Sequence, residues 1–260
     1  MQSLYTSAST MAQLQKQLDT TGHNLANVDT NGYKRRDAQF KELLTRNIQN
    51  QPASLQTGPL STPAGLRIGV GGHVANEATR FSMGTFKRTD RALDAALSDP
   101  HHFFAIIDRD GVTKFTRDGN FQLSPQADGR IQLTDDTGRS VVNGQNEPIL
   151  LPADATGVEL NKDGNVTGIV NGERRVLARI GVGYIDNPNQ LTEDGSGLFT
   201  TPEQYQAVDG NPLTVGTLES SNVDMATEMT NLTQIQRAYQ FNSKALMTTD
   251  QMMGIVTSLK

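Results

Sequence analysis

The chain has 260 residues, with a formal net charge of −5, 24 Gly, 10 Pro and no Cys. Its length allows one domain or two, and its acidic balance gives no chain-wide attraction to nucleic acid or anionic lipid. Without Cys there are no disulfides, no thiolate nucleophiles and no Cys-ligated zinc or iron–sulfur sites. We also expect no membrane insertion, because no apolar run reaches the roughly 18 residues that a spanning helix needs.

The first predicted element is a helix from about Ser3 to Ala26. Apolar and small residues recur there three or four positions apart, which is the helical period. The helix should end before Asn31-Gly32, because Asn and Gly accept the left-handed conformations found at helix ends and turns. The residues of this helical seam are Leu4, Ala8, Met11, Leu14, Leu18 and Leu25.

The middle of the chain has a different pattern. Residues 47–80 contain several Pro and Gly and little periodicity, which indicates an extended connector. Beyond them, Asp-Gly and Asn-Gly pairs recur and predict tight turns between short strands, as in an antiparallel sandwich or barrel. The predicted strands are Phe103 to Ile107, Gly119 to Leu123, Arg130 to Leu133 and Arg179 to Ile185.

The last predicted element is a long helix that runs to the C-terminal end. Ser221 and Asp224 fit a capping box, which places the start near Val223. A second row of Ala238, Ala245, Met252 and Leu259 recurs every seven residues and widens the apolar stripe. The first row has the three-and-four spacing of a coiled-coil seam and includes Leu232, Ile235, Tyr239, Leu246, Met253 and Val256.

Both terminal helices carry little charge. Residues 229–260 contain only Arg237, Lys244, Asp250 and Lys260 as charged residues, and Gln, Asn, Thr and Ser occupy most other polar positions. A charge buried against a neighbouring protein is costly unless it is paired, whereas amides and hydroxyls bond in several directions. We therefore interpret the helices as assembly surfaces. The alternative is a Met-rich core helix of a single domain.

We expect no catalytic residue, cofactor or metal ion. The one cluster that resembles metal ligands is His101 and His102 with Asp99, Asp108 and Asp110. Adjacent His residues on a strand point to opposite faces, so a structural or surface role is favoured for them. No Gly-x-Ser-x-Gly elbow presents a nucleophile.

The basic run Lys34-Arg35-Arg36 has two interpretations. A solvated helix start is the default, and an ion pair between subunits is the functional alternative. Three side chains could bind orphan carbonyls at the end of the first helix, a role compatible with assembly: Asn24, Asn27 and Asn31.

Three segments give the chain a family resemblance. Residues 24–35, Asn-Leu-Ala-Asn-Val-Asp-Thr-Asn-Gly-Tyr-Lys-Arg, closely resemble the N-terminal signature of the flagellar basal-body rod and hook protein family. Residues 216–224 resemble its C-terminal motif, and residues 115–121 a motif of its β domain. The terminal motif residues are Asn24, Leu25, Asn27, Thr30, Gly32, Tyr33, Leu218, Glu219, Ser221, Asn222 and Val223.

The resemblance implies a structural protein of the basal body, outside the cytoplasmic membrane. Such a subunit polymerises into a hollow, open-ended helical tube that transmits torque and encloses an export channel. Its expected partners are copies of itself, neighbouring rod and hook proteins and the flagellar type III export apparatus. Export without a cleaved signal peptide agrees with the N-terminal region, which lacks a basic start, an apolar run and a cleavage site.

Within the family, residues 65–71 look most like the distal rod protein, with a proximal rod or hook paralogue as the alternative. We expect an α+β fold in which both terminal helices form a coiled-coil region. The expected division is an N-terminal helix segment (1–40), a connector (41–80), a central β domain (81–216) and a C-terminal helix segment (217–260). Two rivals from other classes are a metal-dependent cell-wall hydrolase and a secreted β-rich binding module.

Overall fold

The computed structural model describes residues 2–42, 45–48, 66–69, 72–108, 110–201, 206–208 and 213–258. These residues form helix α1 (Gln2–Ala26), a series of antiparallel strands, and helix α2 (Met225–Ser258). The order confirms an α+β fold with a helix at each end. The chain divides into a helical unit, Met1–Leu25, Arg36–Ala78 and Met225–Lys260, and a β unit, Ala26–Arg35 and Thr79–Asp224.

Helix α1 has the predicted extent within one residue. It is followed by a turn in which the N–H of Thr30 donates to the carbonyl of Asn27 at 3.3 Å. Gly32 then adopts a φ of +67°, in the left-handed region that favours glycine. The Asn-Gly signal therefore lies in the turn that follows the helix.

Helix α2 begins two residues later than predicted, at Met225. The expected capping box is wrong, because the Ser221 hydroxyl accepts the N–H of Val223 at 3.3 Å in a turn ahead of the helix. Residues 221–224 stay non-helical. Asn222 in this stretch binds other parts of the β unit, as described below, and these bonds replace a continuation of the helix.

The helical unit also contains paired strands. Strand β1 (Arg36–Glu42) pairs with β4 (Gly72–Thr79), and β2 (Thr45–Ile48) pairs with β3 (Leu66–Gly69) in a register that joins Thr45 to Gly69 and Ile48 to Leu66. An extended connector was predicted for residues 41–80, and the described part of that range is thus largely paired strand. The apolar alternation of these strands is short, as in Leu66 and Ile68, and the Pro and Gly residues around it favoured a connector.

The β unit contains the remaining strands, all short and antiparallel. They are β5 (Phe86–Arg88), β6 (Ala95–Leu97), β7 (His102–Ile107), β8 (Thr113–Thr116), β9 (Gln122–Pro125), β10 (Ile131–Thr134), β11 (Ser140–Val141), β12 (Leu150–Leu151), β13 (Thr156–Leu160), β14 (Asn165–Val170), β15 (Glu173–Arg179), β16 (Val182–Tyr184), β17 (Thr192–Glu193), β18 (Leu198–Thr200), β19 (Gln206–Ala207), β20 (Leu213–Val215) and β21 (Thr217–Glu219). A 3₁₀ turn spans Pro188–Gln190.

A ten-stranded sheet is the main element of the β unit. Its path runs β12-β10-β11-β7-β8-β18-β17, while β16 pairs with β7 and β19, and β9 pairs with β10. A separate sheet has the order β13-β14-β15, and two small pairs join β6 to β20 and β5 to β21. The last pair matters most for the site, because β21 carries the C-terminal motif.

Strand β7 separates two apolar clusters. Phe104 and Ile106 lie in one cluster, with Leu133 among other residues, and Phe103 and Ala105 lie in the other. Alternate residues of a strand point to opposite faces, so a strand buried on both faces reads as a continuous apolar run. This explains why residues 103–107 are apolar throughout.

All four predicted strands are found within three residues at their ends, as β7, β10, β16 and β9. The fourth, predicted from Gly119 to Leu123, is shifted toward the C-terminal end, since β9 begins at Gln122. Gly119 packs against the backbone instead: a Cβ there would lie 1.7 Å from the carbonyl oxygen of Ala95. Sequence alternation carries no information about such a close backbone approach.

Candidate functional site

The three segments that carry the family resemblance meet in the β unit. The Gly32 N–H donates to the Glu219 carbonyl at 2.8 Å, which joins the N-terminal motif to β21. Arg117, from the segment that follows β8, binds the Glu219 carboxylate through its Nε at 3.0 Å. Motifs far apart in sequence thus form one site, and Glu219 lies at its centre.

Three buried charged side chains form what we call the ion cluster: Lys34, Arg117 and Glu219. Lys34 Nζ lies 2.6 Å from Glu219 Oε1, and Arg117 Nη2 lies 2.9 Å from Glu219 Oε2. Their exposed fractions are 2%, 1% and 2%. Buried ions are costly unless they are paired and hydrogen-bonded, so this cluster depends on all of its contacts.

Backbone groups complete the ion cluster. Lys34 Nζ also donates to the Ser82 carbonyl at 2.9 Å, and the Gly84 N–H donates to Glu219 Oε1 at 2.9 Å. Arg117 Nη1 donates to the carbonyls of Asp99 and His102. Burial lowers the pKa of Lys34 and of Arg117, while Glu219 opposes the shift in both. Glu219 therefore favours the charged form of both groups inside the protein.

The predicted solvated position of Lys34 is wrong. The residue lies in the β unit after α1 has ended, and its ammonium group is buried against Glu219. Arg36 does not start a helix either, because it is the first residue of β1. Sequence analysis included Arg117 in the motif at 115–121 but missed its pairing with Glu219, for which the available signal was a charged residue between Phe115 and Phe121.

Asn222 joins two other segments beside the ion cluster. Its Oδ1 accepts the Arg35 N–H at 2.7 Å, and its Nδ2 donates to the carbonyls of Arg80 at 2.8 Å and Ser82 at 2.9 Å. The Arg80 N–H donates in turn to the Arg35 carbonyl at 2.8 Å. One amide side chain thus ties the C-terminal motif to both residues 32–35 and residues 80–82.

Asn24 acts similarly within the helical unit. Its Nδ2 donates to the Arg36 carbonyl and its Oδ1 accepts the Arg36 N–H, both at 2.9 Å. The side chain is buried. These bonds link α1 to the first residue of β1 and go beyond the simple cap considered from the sequence. Asn27 Oδ1 accepts the Thr30 hydroxyl at 3.1 Å, so it stabilises the turn after the helix.

Gly32 is required by its surroundings as well as by its positive φ. A Cβ on Gly32 would lie 2.6 Å from the carbonyl carbon of Arg117 and from the nitrogen of Asp118. No real side-chain carbon approaches backbone atoms so closely, so only glycine fits between these segments. The motif glycine thus brings the N-terminal motif into contact with the Arg117 segment.

Asp118 is the carboxyl group with the most altered proton affinity near the site. Burial raises the pKa of Asp118 to about 6, Asp136 and Asp135 add to the rise, and the Asn120 N–H opposes it. That N–H donates to Asp118 Oδ1 at 3.0 Å. The environment therefore favours the neutral carboxylic acid.

The two His side chains lie together at the start of β7. Both rings approach Tyr184, with centroids 5.7 Å away for His101 and 5.8 Å for His102. The expected opposite orientation does not apply, because His101 lies in the turn before the strand. His101 Nδ1 lies 3.0 Å from the Ile185 carbonyl. Among the residues that the structure describes, no group of three or more His, Asp or Glu side chains could hold a metal ion.

The predicted seam residues have varied exposure. On α1, Met11, Leu14, Leu18 and Leu25 are half-buried and Ala8 is exposed. On α2, Ile235 is buried, Met253 is exposed, and Leu232, Tyr239 and Leu246 are half-buried. The side chains of Leu4 and Val256 lie outside the described ones, as does Leu259 of the second row.

Helix α2 exposes large apolar side chains on another face. Phe241 is 75% exposed, Met252 68% and Ile255 60%. Together with Ala245 and Thr248 they form what we call the exposed row, with spacings of four and three residues. Large apolar groups that lie together in water mark an interaction surface. In the described part of the chain, no helix has the length and hydropathy of a membrane span.

Three family models match the chain at its two ends and in the β unit. They are "Flagella basal body rod protein" over residues 4–34, "Flagellar hook protein FlgE/F/G D1 domain" over residues 100–168, and "Flagellar basal body rod FlgEFG protein C-terminal" over residues 214–259. Between them, these ranges contain Lys34, Arg117 and Glu219.

Curated relatives are similar from end to end. The flagellar basal-body rod protein FlgG of Borreliella burgdorferi is 33% identical, over 100% of this chain and 99% of the relative. FlgG of Caulobacter vibrioides is 32% identical over 100% of both chains. The flagellar hook-basal body complex protein FlhP of Bacillus subtilis is 30% identical, also over 100% of both. The chain therefore belongs to the flagellar basal-body rod and hook protein family and is a structural axial subunit of the basal body, not an enzyme.

Proposed function

We propose that copies of this chain polymerise into a hollow, open-ended helical tube that transmits torque and encloses an export channel. The observation that carries the proposal is the exposed row on α2, whose large side chains stay in water in a single chain. Burial of apolar surface contributes about 25 cal/mol per Å². If a neighbouring copy covers the exposed row, this free energy stabilises the contact between the two copies.

A second copy is the occupant that fits this surface best. The spacings of four and three residues are those with which one helix packs along another. The only charged residues between Phe241 and Ile255 are Lys244 and Asp250, so the surface offers little charge to select a charged partner. Contacts repeated from copy to copy without closing a ring produce an open helical array.

The two helices would contribute different surfaces to the tube. We propose that the seams from Leu4 to Leu25 and from Leu232 to Val256 form a coiled-coil region, and that the exposed row packs on a neighbouring copy. Half-burial of most described seam residues supports this assignment. The division into residues 1–40, 41–80, 81–216 and 217–260, and a sandwich- or barrel-like β domain, belong to the same proposal.

Within the basal body, a distal rod position is proposed, with proximal rod or hook positions as the alternatives. The resemblance of residues 65–71 to the distal rod protein supports it. The partners would be copies of this chain, adjoining rod and hook proteins and the flagellar type III export apparatus. Export by that apparatus would need no cleaved signal peptide.

Phe241→Asp tests the polymer interface. We expect the critical concentration for polymerisation of the purified chain to rise by about tenfold or more, because burial of one aromatic side chain is lost and an unpaired charge is placed in the contact. Pelleting in the ultracentrifuge and electron microscopy measure the polymer. A complementation assay for swimming, in a strain without the native gene, should show the same loss.

Phe241→Leu is the matched control, since it keeps an apolar side chain at the same position. It should polymerise within about threefold of the unmodified chain. Because Phe241 is mostly exposed, both variants should keep the far-UV circular dichroism of the monomer. Normal polymerisation of Phe241→Asp would contradict the proposed interface.

A further inference from the structure

The ion cluster has unequal numbers of opposite charges. Lys34 and Arg117 are cations, and Glu219 is the one anion that contacts both. Their other hydrogen bonds go to carbonyl oxygens, those of Ser82, Asp99 and His102. Among the groups in contact, the cluster thus carries an excess of one positive charge in a buried place, where unpaired charge is costly. The Asp99 carboxylate also favours the charged form of Arg117, but it makes no ion pair with it.

The same anion joins segments that are distant along the chain. Glu219 lies 185 residues from Lys34 and 102 residues from Arg117. Its carbonyl accepts the Gly32 N–H and its carboxylate accepts the Gly84 N–H. Without the carboxylate, two cations would face each other in the same buried place. They regain hydration only if the segments separate.

We propose that Glu219 couples two segments of the β unit, residues 26–35 and 216–224. These segments dock onto the rest of the unit and separate from it together, as one cooperative element. While residues 216–224 are undocked, Lys34 and Arg117 repel each other, and both side chains stay hydrated. Docking of β21 brings the balancing carboxylate together with the backbone partner of Gly32.

The proposal predicts that three variants differ in severity according to the buried charges that each leaves unpaired. Glu219→Gln keeps the shape of the side chain but leaves two unpaired cations. Lys34→Met removes one cation and leaves the balanced pair of Arg117 and Glu219; the Ser82 carbonyl still accepts Nδ2 of Asn222. The combination Lys34→Met, Arg117→Met and Glu219→Met removes all three charges. Glu219→Gln should therefore be far more damaging than Lys34→Met, although both break the same 2.6 Å ion pair.

Amide hydrogen exchange of the full chain measures the opening directly. The reporters are the N–H of Gly32, which donates to Glu219, and the N–H of Arg35, which donates to Asn222. The reference is the N–H of Ala105 in β7, which donates to Gly181. In Glu219→Gln we expect about 100-fold faster exchange at both reporters and a much smaller change at the reference.

Lys34→Met should speed the reporters by about tenfold or less, and the triple apolar variant should stay within about tenfold of the unmodified chain. If Glu219→Gln does not fold, a folded triple variant with protected reporters supports the proposal, and an unfolded one overturns it. Equal effects of Glu219→Gln on reporters and reference would also overturn it. So would a larger effect of Lys34→Met than of Glu219→Gln.

Discussion

In the β unit, Lys34, Arg117 and Glu219 are at most 2% exposed, whereas on α2 Phe241 is 75% exposed. The first region buries charged groups and pairs them within one chain. The second leaves large apolar groups in water. Burial of charge needs partners, and the ion cluster finds them within one chain. Exposed apolar surface favours contact with another molecule, and the exposed row has no cover within the described part of the chain.

The motif residues and the surface of α2 therefore have different roles. Gly32, Glu219 and Asn222 act inside one chain, through close backbone contacts and hydrogen bonds. The polar, weakly charged surface of α2 has no such internal task, because most of its side chains are exposed or half-buried. Substitutions in the β unit should therefore change folding stability, and substitutions on α2 should mainly change assembly.

Glycine substitutions should give the largest difference between the two regions. Gly119→Ala places a Cβ 1.7 Å from the Ala95 carbonyl oxygen, and nothing lies within 4 Å of a Cβ on Gly254 in α2. We expect Gly119→Ala to lower the free energy of unfolding by about 3 kcal/mol or more, and Gly254→Ala to stabilise the helix by about 1 kcal/mol. Urea unfolding followed by circular dichroism measures both, and equal effects would remove the contrast.

Amide substitutions should give an intermediate effect. Asn222→Ala removes the bonds to Arg35, Arg80 and Ser82, and we expect a loss of about 2 kcal/mol in the free energy of unfolding. The control is Asn231→Ala on α2, which should stay within about 0.5 kcal/mol. The same urea titrations serve as the measurement. An unchanged free energy of unfolding in Asn222→Ala would show that water replaces these hydrogen bonds without cost.

Asp118 should give the smallest effect, and one that depends on pH. Its pKa is raised from 3.8 to about 6, so the folded chain holds the proton more tightly than the unfolded chain. The contribution of Asp118 to stability is therefore fully present below about pH 4 and is lost as pH rises through about 6. Asp118→Asn keeps an acceptor for the Asn120 N–H and cannot ionise.

Relative to the unmodified chain, Asp118→Asn should have a free energy of unfolding about 1–2 kcal/mol higher at about pH 7 and an unchanged one at about pH 4. Solvent screens part of the effect because the Asp118 side chain is partly exposed. Urea unfolding at both pH values measures the difference. Asp163→Asn, at an exposed turn residue, is the control for the change from Asp to Asn itself. A constant difference at both pH values would rule out ionisation of Asp118 as the cause.

Regular patterns predicted the parts of the fold that depend on local sequence. The spacing of apolar residues located α1 within one residue, and the apolar run at 103–107 located β7. Asn171-Gly172 predicted a two-residue turn, and both residues have positive φ between the paired strands β14 and β15. Short strands such as β2 and β3 escaped prediction because they lie in a segment rich in Pro and Gly, which favoured a connector.

The candidate site was predicted only in part. The motifs were identified as segments, yet Lys34 was expected in water and the partnership of Arg117 with Glu219 was missed. The local sequence around a charged residue is the same whether its side chain is solvated or is buried against an opposite charge from a distant part of the chain. What distinguishes the two cases is a contact across 102 or 185 residues, which no local window contains.

The sequence by itself determined the helices at both ends, the turn-rich β middle and the family, because periodicity, turn chemistry and contiguous motifs are local properties. Only the tertiary structure decided that the motifs converge on Glu219, that Gly32 and Gly119 lie against distant backbone, and that Phe241 is left exposed. Those facts depend on which segments become neighbours when the chain buries its apolar surface. That choice is made by the whole fold.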